Sequence, residues 1–476
     1  MQRSGYSESS TNASSFASYG SGYATPMNSA PMNGVPNGHE PSKIIVGLDV
    51  GTTKVCAIVA AVSLSDPHRM TILGVGHAPA EGLSRGVVTN IEKTVRSIER
   101  AIAEAEAQSG VKVREVVVGI AGDHIQSFQS RGVVTISNHD RTIMRDDVDR
   151  LIDDTRKVRI PSDRRILHVI PQEFIVDGQD GIYEPIGMSG VRLEASVHII
   201  NGLVTAVQNI SNCVERAGLR VRDIVLEPLA SSHAVLDEEE KEVGVALVDI
   251  GGGTTDIAVF EERTIRHTAV IGIAGQKVTD DIRKGLGILN DQAERLKREH
   301  GCAVVSHILR DDVIQLPGVG GRKPREIQRS VLARVIQPRL EEILEFALAE
   351  IRRSGYARHL SAGVVLTGGG SMTNGTRELA EEVFQMPVKI GMPMGFGAGL
   401  VKEVESPVFS TAVGLVLYAF HHYSDTSFAT YVEEEEEPVT FDEPLPEPPV
   451  AEYEAEEDEE PKGNVLSRMK GWFDRL

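Results

Sequence analysis

The chain is poor in the residues that staple a protein or carry it through a bilayer. Its 476 residues include three cysteines, at positions 56, 213 and 302. Their odd number and wide separation exclude a disulfide framework, and none has metal-ligand spacing, so they read as packing thiols in a reducing compartment. Aromatic residues make up 5%, with one Trp. No basic stretch interleaved with aromatics marks a nucleic-acid surface. No apolar run approaches the roughly 20 residues that span a membrane, and the first residues lack the basic start and apolar core of a secretory signal. These absences leave a cytoplasmic protein long enough for two or more domains with sizeable cores.

Negative charge is abundant but unevenly placed. The formal net charge is −20, and residues 431–461 hold fifteen Asp or Glu and no Lys or Arg. That stretch therefore supplies most of the imbalance. Rich in Glu and Pro, it cannot bury enough apolar surface to offset its ordering entropy, so residues 423–462 are expected to form an extended, self-repelling linker. Residues 1–42, rich in Ser, Gly, Asn and Pro, read as a disordered extension.

The linker ends in residues 463–476, a short amphipathic helix pattern. At about 100° per residue, Val465, Leu466, Met469, Trp472, Phe473 and Leu476 fall within an arc of roughly 120°. Arg468 and Arg475 flank one edge of the arc and Lys470 the other, where their stems can lie along acyl chains while the charges reach headgroups. The pattern predicts an interfacial membrane helix. Docking on the protein's own body or on a partner is the competing reading; the tether and the cationic flanks favour lipid. One such helix binds reversibly, so stable attachment calls for several acting together.

The chemistry lies in a repeat of about two hundred residues' spacing. Residues 43–60 read as an apolar strand ending at Asp49-Val50, a turn Gly51-Thr52-Thr53-Lys54, and a second strand. Residues 244–260 repeat the design: a strand ending at Asp249-Ile250, then Gly251-Gly252-Gly253-Thr254-Thr255, then a strand. Glycine in such a turn lets backbone N–H groups approach a phosphate, and the Thr hydroxyls add donors. An Asp beside phosphates is tolerable when a cation, normally Mg²⁺ with its waters, lies between them, which makes Asp49 and Asp249 the candidate metal residues. Either hairpin alone matches any antiparallel β-turn; the pair implies two related halves. A third element, a strand at 364–367 running into Gly368, Gly369, Gly370 and Ser371 ahead of a helix at 375–383, lets backbone pass close under a flat group such as a nucleoside.

These three motifs resemble the actin, heat-shock chaperone and sugar kinase superfamily. The resemblance implies an α/β, actin-like two-lobed fold with ribonuclease H-like cores and ATP bound between the lobes. It assigns Asp49, Gly51, Thr52, Thr53 and Lys54 to the first phosphate loop and Asp249, Gly251, Gly252, Gly253, Thr254 and Thr255 to the second. Gly368, Gly369, Gly370 and Ser371 go to the adenosine site. Residues 226–230 (LEPLA) are similar to the chaperones' connecting helix, which makes Glu227 the candidate for positioning a catalytic water. Residues 293–297 (AERLK) are similar to the helix from which a Glu and a Lys touch adenine and ribose, here Glu294 and Lys297; an exposed helical ion pair is the blander reading.

Within the superfamily the chain most resembles the FtsA family of bacterial cell-division proteins, on residues 42–49 (SKIIVGLD), 167–174 (LHVIPQEF) and 183–190 (YEPIGMSG) together with the linker and terminal helix. The expected organisation follows: subdomain 1A at 43–85 and 194–240, an inserted 1C-type subdomain at 86–193, 2A at 241–274 and 329–422, and 2B at 275–328. The resemblance further implies ATP and Mg²⁺ as cofactors, self-association into filaments, and tethering of the tubulin-like FtsZ, through its C-terminal peptide, to lipids on the cytoplasmic face of the membrane at the division site. Contacts with other divisome proteins are implied too. ATP turnover, as against binding alone, is left open by the sequence. The rivals are a type IV pilus assembly ATP-binding protein of the same fold and a kinase of the superfamily; the first is not expected to carry the terminal helix, and the second needs a general base that the sequence does not display.

Overall fold

The computed structural model of the protein describes residues 42–63, 70–316, 318, 323–423 and 430–431. The expected N-terminal extension, most of the linker and the terminal helix, with Val465, Leu466, Arg468, Met469, Lys470, Trp472, Phe473, Arg475 and Leu476, lie outside the described residues.

The first lobe grows from one antiparallel hairpin. Ser42–Val50 pairs with Lys54–Ser63, with Asp49 opposite Cys56 and Val50 opposite Val55. Met70–Pro79 extends the sheet beyond the second strand, while Glu115–Ile120 and then Arg220–Leu226 join the first strand's other edge in parallel. The resulting order is third, second, first, fourth, fifth. That is the order of a ribonuclease H-like core. Residues of the second strand are buried on both faces, because helices cover the sheet from two sides. Val55, Ala57 and Val59 face Ile91–Ser109 and Val204–Arg216. Cys56, Ile58 and Ala60 face Glu227–Val235 and Ser410–Tyr423.

The second lobe repeats this plan. Val245–Ile250, Thr255–Glu261 and Thr264–Ile271 are antiparallel, and Gly363–Thr367 and Val388–Ile390 add in parallel. Asp249 stands opposite Asp256, as Asp49 stands opposite Cys56. The long helix Arg329–Arg353 and Thr376–Phe384 pack on one face. The other face shares its core with the first lobe through Glu227–Val235 and Ser410–Tyr423. These two helices cross backbone to backbone: a Cβ on Gly414 would overlap the carbonyl of Ala230. Helices Gly275–Leu286 and Asn290–His300, with the short hairpin Val313–Leu316 and Arg325–Gln328, form a small subdomain against the long helix.

The insertion is smaller and later than the sequence suggests. Helix Ile91–Ser109, N-capped by Asn90 and ended by left-handed Gly110, buries Ile98, Ala101, Ile102 and Ala105 on the first-lobe sheet. Glu115–Ile120 is a strand of that same sheet. Both fall in the range expected for the insert, 86–193. Conversely Arg192–Leu203, expected in part to belong to the first lobe, is the central strand of the insert's antiparallel sheet, between Gln126–Thr135 and Arg164–Val176. Helix Arg145–Thr155 packs on this sheet around Leu151, Phe174, Leu193 and Val197. The reason for the difference is physical: an apolar stripe specifies that a helix or strand is covered, not which sheet covers it.

The insert also shields an open sheet edge. Ser127 Oγ donates to Thr268 O at 2.9 Å, Gln172 Nε2 to Ile265 O at 2.8 Å, and His198 Nε2 lies 2.9 Å from Thr268 Oγ1. All three reach the edge strand Thr264–Ile271. Among the described residues no helix is long and apolar enough to cross a membrane.

Candidate functional site

The two glycine turns close in the same way. Gly51 N–H donates to Lys54 O at 3.0 Å, and Gly251 N–H to Thr254 O at 2.9 Å. They also meet across the cleft between the lobes. A Cβ on Gly252 would overlap the Thr53 side chain, and one on Gly253 the Thr52 side chain. Only glycine allows two loops from different lobes to come this close. Each turn is braced from outside. Gly86 N–H donates to Thr52 Oγ1 at 3.2 Å. The carbonyls of Gly251 and Gly252 accept the N–H groups of Gly275 and Gln276 at 3.1 and 2.8 Å, and Thr255 Oγ1 donates to Ile273 O at 2.8 Å.

Behind the turns four carboxyl groups converge: Asp49, Glu227, Asp249 and Asp256. Burial raises all four, and neighbouring carboxylates add to the effect at Glu227, Asp249 and Asp256; Asp249 reaches about 6. Lys54 works against this at Asp49 and Asp249. Ser231 Oγ donates to Asp249 Oδ2 at 2.8 Å and Thr411 Oγ1 does so at 3.3 Å. Thr254 Oγ1 donates to Asp256 Oδ2 at 2.9 Å, while Asp256 Oδ1 is buried with no partner among the described residues. A buried acceptor left unpaired costs free energy. A cation with ordered waters would relieve both the orphaned oxygen and the repulsion. The donor set is hard oxygen throughout, which fits Mg²⁺. Among the described residues no three His, Cys, Asp or Glu side chains are arranged to share an ion directly.

The other residues singled out by the sequence sit around this centre. Lys54 does not extend freely into the cleft: its Nζ donates to Val408 O at 2.6 Å and lies 4.4 Å from the centre of the Phe409 ring. Gly368 has φ 81° and packs so tightly that a Cβ would overlap Asp249 Oδ1. Gly370 presses on Ile250, whose carbonyl would lie 2.9 Å from a Cβ there. Gly369 is exposed, and among the described residues nothing lies nearer its Cβ position than Val408 Cγ2 at 3.9 Å. Its backbone is the open surface of this turn. Ser371 Oγ donates to Gly368 O at 2.7 Å, so its hydroxyl holds the turn rather than facing the cleft.

Glu294 and Lys297 form an ion pair at 2.7 Å, but not a solvated one: the Lys297 side chain is 13% exposed. Its Nζ donates to Thr279 Oγ1 at 2.8 Å and to Gly275 O at 3.1 Å. Since Gly275 N–H is bonded to Gly251, the pair is one step removed from the second glycine turn.

Three residues at this centre are absent from the sequence reading. Asp256 was legible in principle, as the hydrophilic residue seven places after Asp249 at the head of an apolar strand. Ser231 and Thr411 carry no local signal; they are hydroxyls on two helices that only the fold brings to Asp249.

Comparison with known proteins gives this architecture relatives. The family model for "Cell division protein FtsA" matches residues 246–414, and that for the "SHS2 domain inserted in FTSA" matches residues 122–201. The second range begins after strand Glu115–Ile120 and ends within Arg192–Leu203, in keeping with the smaller insert. The cell division protein FtsA of Pseudomonas aeruginosa is 46% identical over 435 residues, covering 90% of this chain and 97% of that protein. The Escherichia coli K12 protein of the same name is 42% identical over 79% of this chain and 90% of its own length, and that of Bacillus subtilis is 38% identical over 79% and 84%. Among solved structures, a PilM–PilN type IV pilus biogenesis complex aligns over 79% of this chain and 98% of its own, with TM-score 0.57 and 16% identity. MreB5 of Spiroplasma citri bound to ADP aligns over 79% and 96%, with TM-score 0.50 and 17% identity. The last two share the actin-like fold, whereas the sequence identity over nearly the full length decides between families. The chain belongs to the FtsA family of actin-like cell division proteins.

Proposed function

We propose that the protein binds ATP with Mg²⁺ between its lobes, self-associates, and holds FtsZ at the inner face of the cytoplasmic membrane at the division site through residues 463–476, where other divisome proteins join it. The observation that carries the nucleotide part is the meeting of the turns at Gly51-Thr52-Thr53 and Gly251-Gly252-Gly253 in front of four carboxyl groups, one with an orphaned oxygen. In this reading the backbone N–H groups and Thr hydroxyls of the turns bind the phosphates, and Asp49, Asp249 and Asp256 hold the ion's waters. Gly369 offers backbone to the nucleoside, and Glu294 and Lys297 would touch adenine and ribose. Glu227, in the first turn of its helix, is the candidate for orienting a water. When bound, the Mg²⁺ that accompanies ATP would supply positive charge in place of the protons that burial holds on these carboxyls, and would offset the negative charge of the phosphates.

The membrane part rests on the amphipathic pattern at Val465–Leu466, Met469, Trp472–Phe473 and Leu476. Filament formation gives such weak anchors collective strength, because an array presents many at once. The test is vesicle flotation of purified FtsZ with ATP, comparing the full chain with a truncation after Lys462. FtsZ is expected to float with the full chain alone. If the full chain floats and leaves FtsZ behind, the anchor stands and the tether reading falls.

A further inference from the structure

The cleft's cations are unequally committed. Lys54 is bound to Val408 O and the Phe409 ring, and Lys297 to Gly275 O, Thr279 Oγ1 and Glu294. Arg85 is held far more loosely. Among the described residues its guanidinium meets Asp123 alone, at 3.9 Å, with both side chains more than half exposed. A pair of that kind contributes little.

Its position is nonetheless fixed by the backbone. Leu83–Ser84 and Val87–Val88 form a small hairpin whose two turn residues, Arg85 at φ 50° and Gly86 at φ 74°, are both left-handed. That is the conformation a two-residue hairpin turn of this hand requires. Gly86 N–H is bonded to Thr52 Oγ1 of the first phosphate turn, and a Cβ on Gly86 would stand 2.5 Å from Ala121 O. The Arg85 stem then crosses to the other lobe: its Cδ lies 3.2 Å from the Cβ position of Gly272. Gly272 opens the segment in which Ile273 O accepts from Thr255 and Gly275 donates to Gly251. One tight turn therefore touches the first phosphate loop through a backbone N–H and reaches, through an arginine stem, the segment that braces the second.

We propose that Arg85 binds the terminal phosphate of a nucleoside triphosphate, exchanging its loose contact with Asp123 for it, so that this hairpin reads the third phosphate and draws the two lobes together. The proposal rests on the nucleotide reading of the cleft. The chemistry suits the residue: guanidinium offers a planar fork of donors that phosphate oxygens accept in pairs, and it stays charged at any working pH. It also suits the charge balance, since a third phosphate brings negative charge to a site already crowded with carboxyl groups and the other two cations have partners to leave.

The experiment is calorimetric titration of the full chain, with Mg²⁺ present, by a non-hydrolysable ATP analogue and by ADP, for the wild type and Arg85→Gln. Loss of a charge-assisted contact is expected to weaken the triphosphate by about tenfold or more, with ADP changed by less than about twofold. Asp123→Asn serves as a second variant: it removes the competing carboxylate without touching the turn, and is expected to tighten the triphosphate while leaving ADP unmoved. If the wild type binds both nucleotides and neither variant separates them, Arg85 does not read the third phosphate and the cleft reading survives. If the wild type binds neither nucleotide, the cleft reading fails and this inference fails with it.

Discussion

Asp249 and Asp256 stand directly opposite each other across the second hairpin, both buried, and one oxygen of Asp256 has no partner among the described residues. The arrangement stores repulsion that either protons or a cation can relieve. Because burial lifts Asp249 from 3.8 to about 6, the folded chain still holds a proton in the range where the unfolded chain has released its own. The stability linked to this group is thus fully present below about pH 4 and is lost as pH rises through about 6. Asp256 and Glu227 are shifted in the same direction. Without nucleotide or Mg²⁺, Asp249→Asn is expected to stabilise the protein at pH 7.5 by on the order of 2 kcal/mol and to flatten the fall in stability between about pH 4.5 and 7. Urea unfolding across that range measures both. Equal slopes in variant and wild type would show that Asp249 ionises freely in the fold.

The interlocked turns predict a steric pair. Gly253→Ala places a Cβ into Thr52, which must move the two lobes apart, so nucleotide affinity is expected to fall at least tenfold. Thr52→Gly in the same chain removes the colliding atoms and is expected to restore part of the loss, although it also removes a donor. Gly369→Ala is the control, since its Cβ meets only Val408 Cγ2 at 3.9 Å and leaves the turn intact; Gly369→Glu fills the open side and is expected to abolish binding. Calorimetry with Mg·ATP reads all four variants. Gly253→Ala with wild-type affinity would mean that the turns need not meet for binding.

Lys54 joins residues 354 positions apart by donating to Val408 O. Lys54→Met keeps most of the stem but leaves that carbonyl without its donor and removes the positive neighbour of Asp49. The expected cost is about 1–3 kcal/mol, the usual penalty for a stranded polar group. A stability equal to wild type in chemical denaturation would indicate that water replaces the ammonium without loss.

What the sequence displayed and what it hid divide along the range of the interactions. Each glycine hairpin is local: strand, glycine turn and strand lie within about twenty residues, and their duplication points to two lobes. Gly368 to Gly370 were legible for the same reason. The edge of the insert was not, because Val95, Ile98, Ala101, Ile102 and Ala105 make an apolar stripe that would suit either sheet, and the choice depends on Val46, Leu48 and Val59 far away in the chain. Lys54 closes the first glycine turn with its carbonyl and opens the next strand, but the partner of its ammonium is set by a distant segment. Ser231 and Thr411 were hidden entirely, as ordinary hydroxyls in helical runs that become ligands of Asp249 only when two helices cross at Gly414.

The terminal segment carries the last prediction, which follows from composition alone. Trp472 lies on the apolar arc formed with Val465, Leu466, Met469, Phe473 and Leu476, at the edge that Arg468 and Arg475 flank. Replacing it with Glu puts a charge where the helix must enter the acyl boundary, and anionic headgroups repel that charge as well. Trp472→Glu is therefore expected to release the chain from anionic vesicles in sedimentation, with nucleotide affinity unchanged because the substitution is in the segment beyond the acidic linker. The wild type, in contrast, is expected to bind vesicles more steeply with protein concentration in ATP than one-site binding allows, since each added copy in an array contributes another weak anchor. Persistent binding of the variant would place the anchor elsewhere in the chain. A plain one-site isotherm for the wild type would mean that single helices, not arrays, hold the protein to lipid.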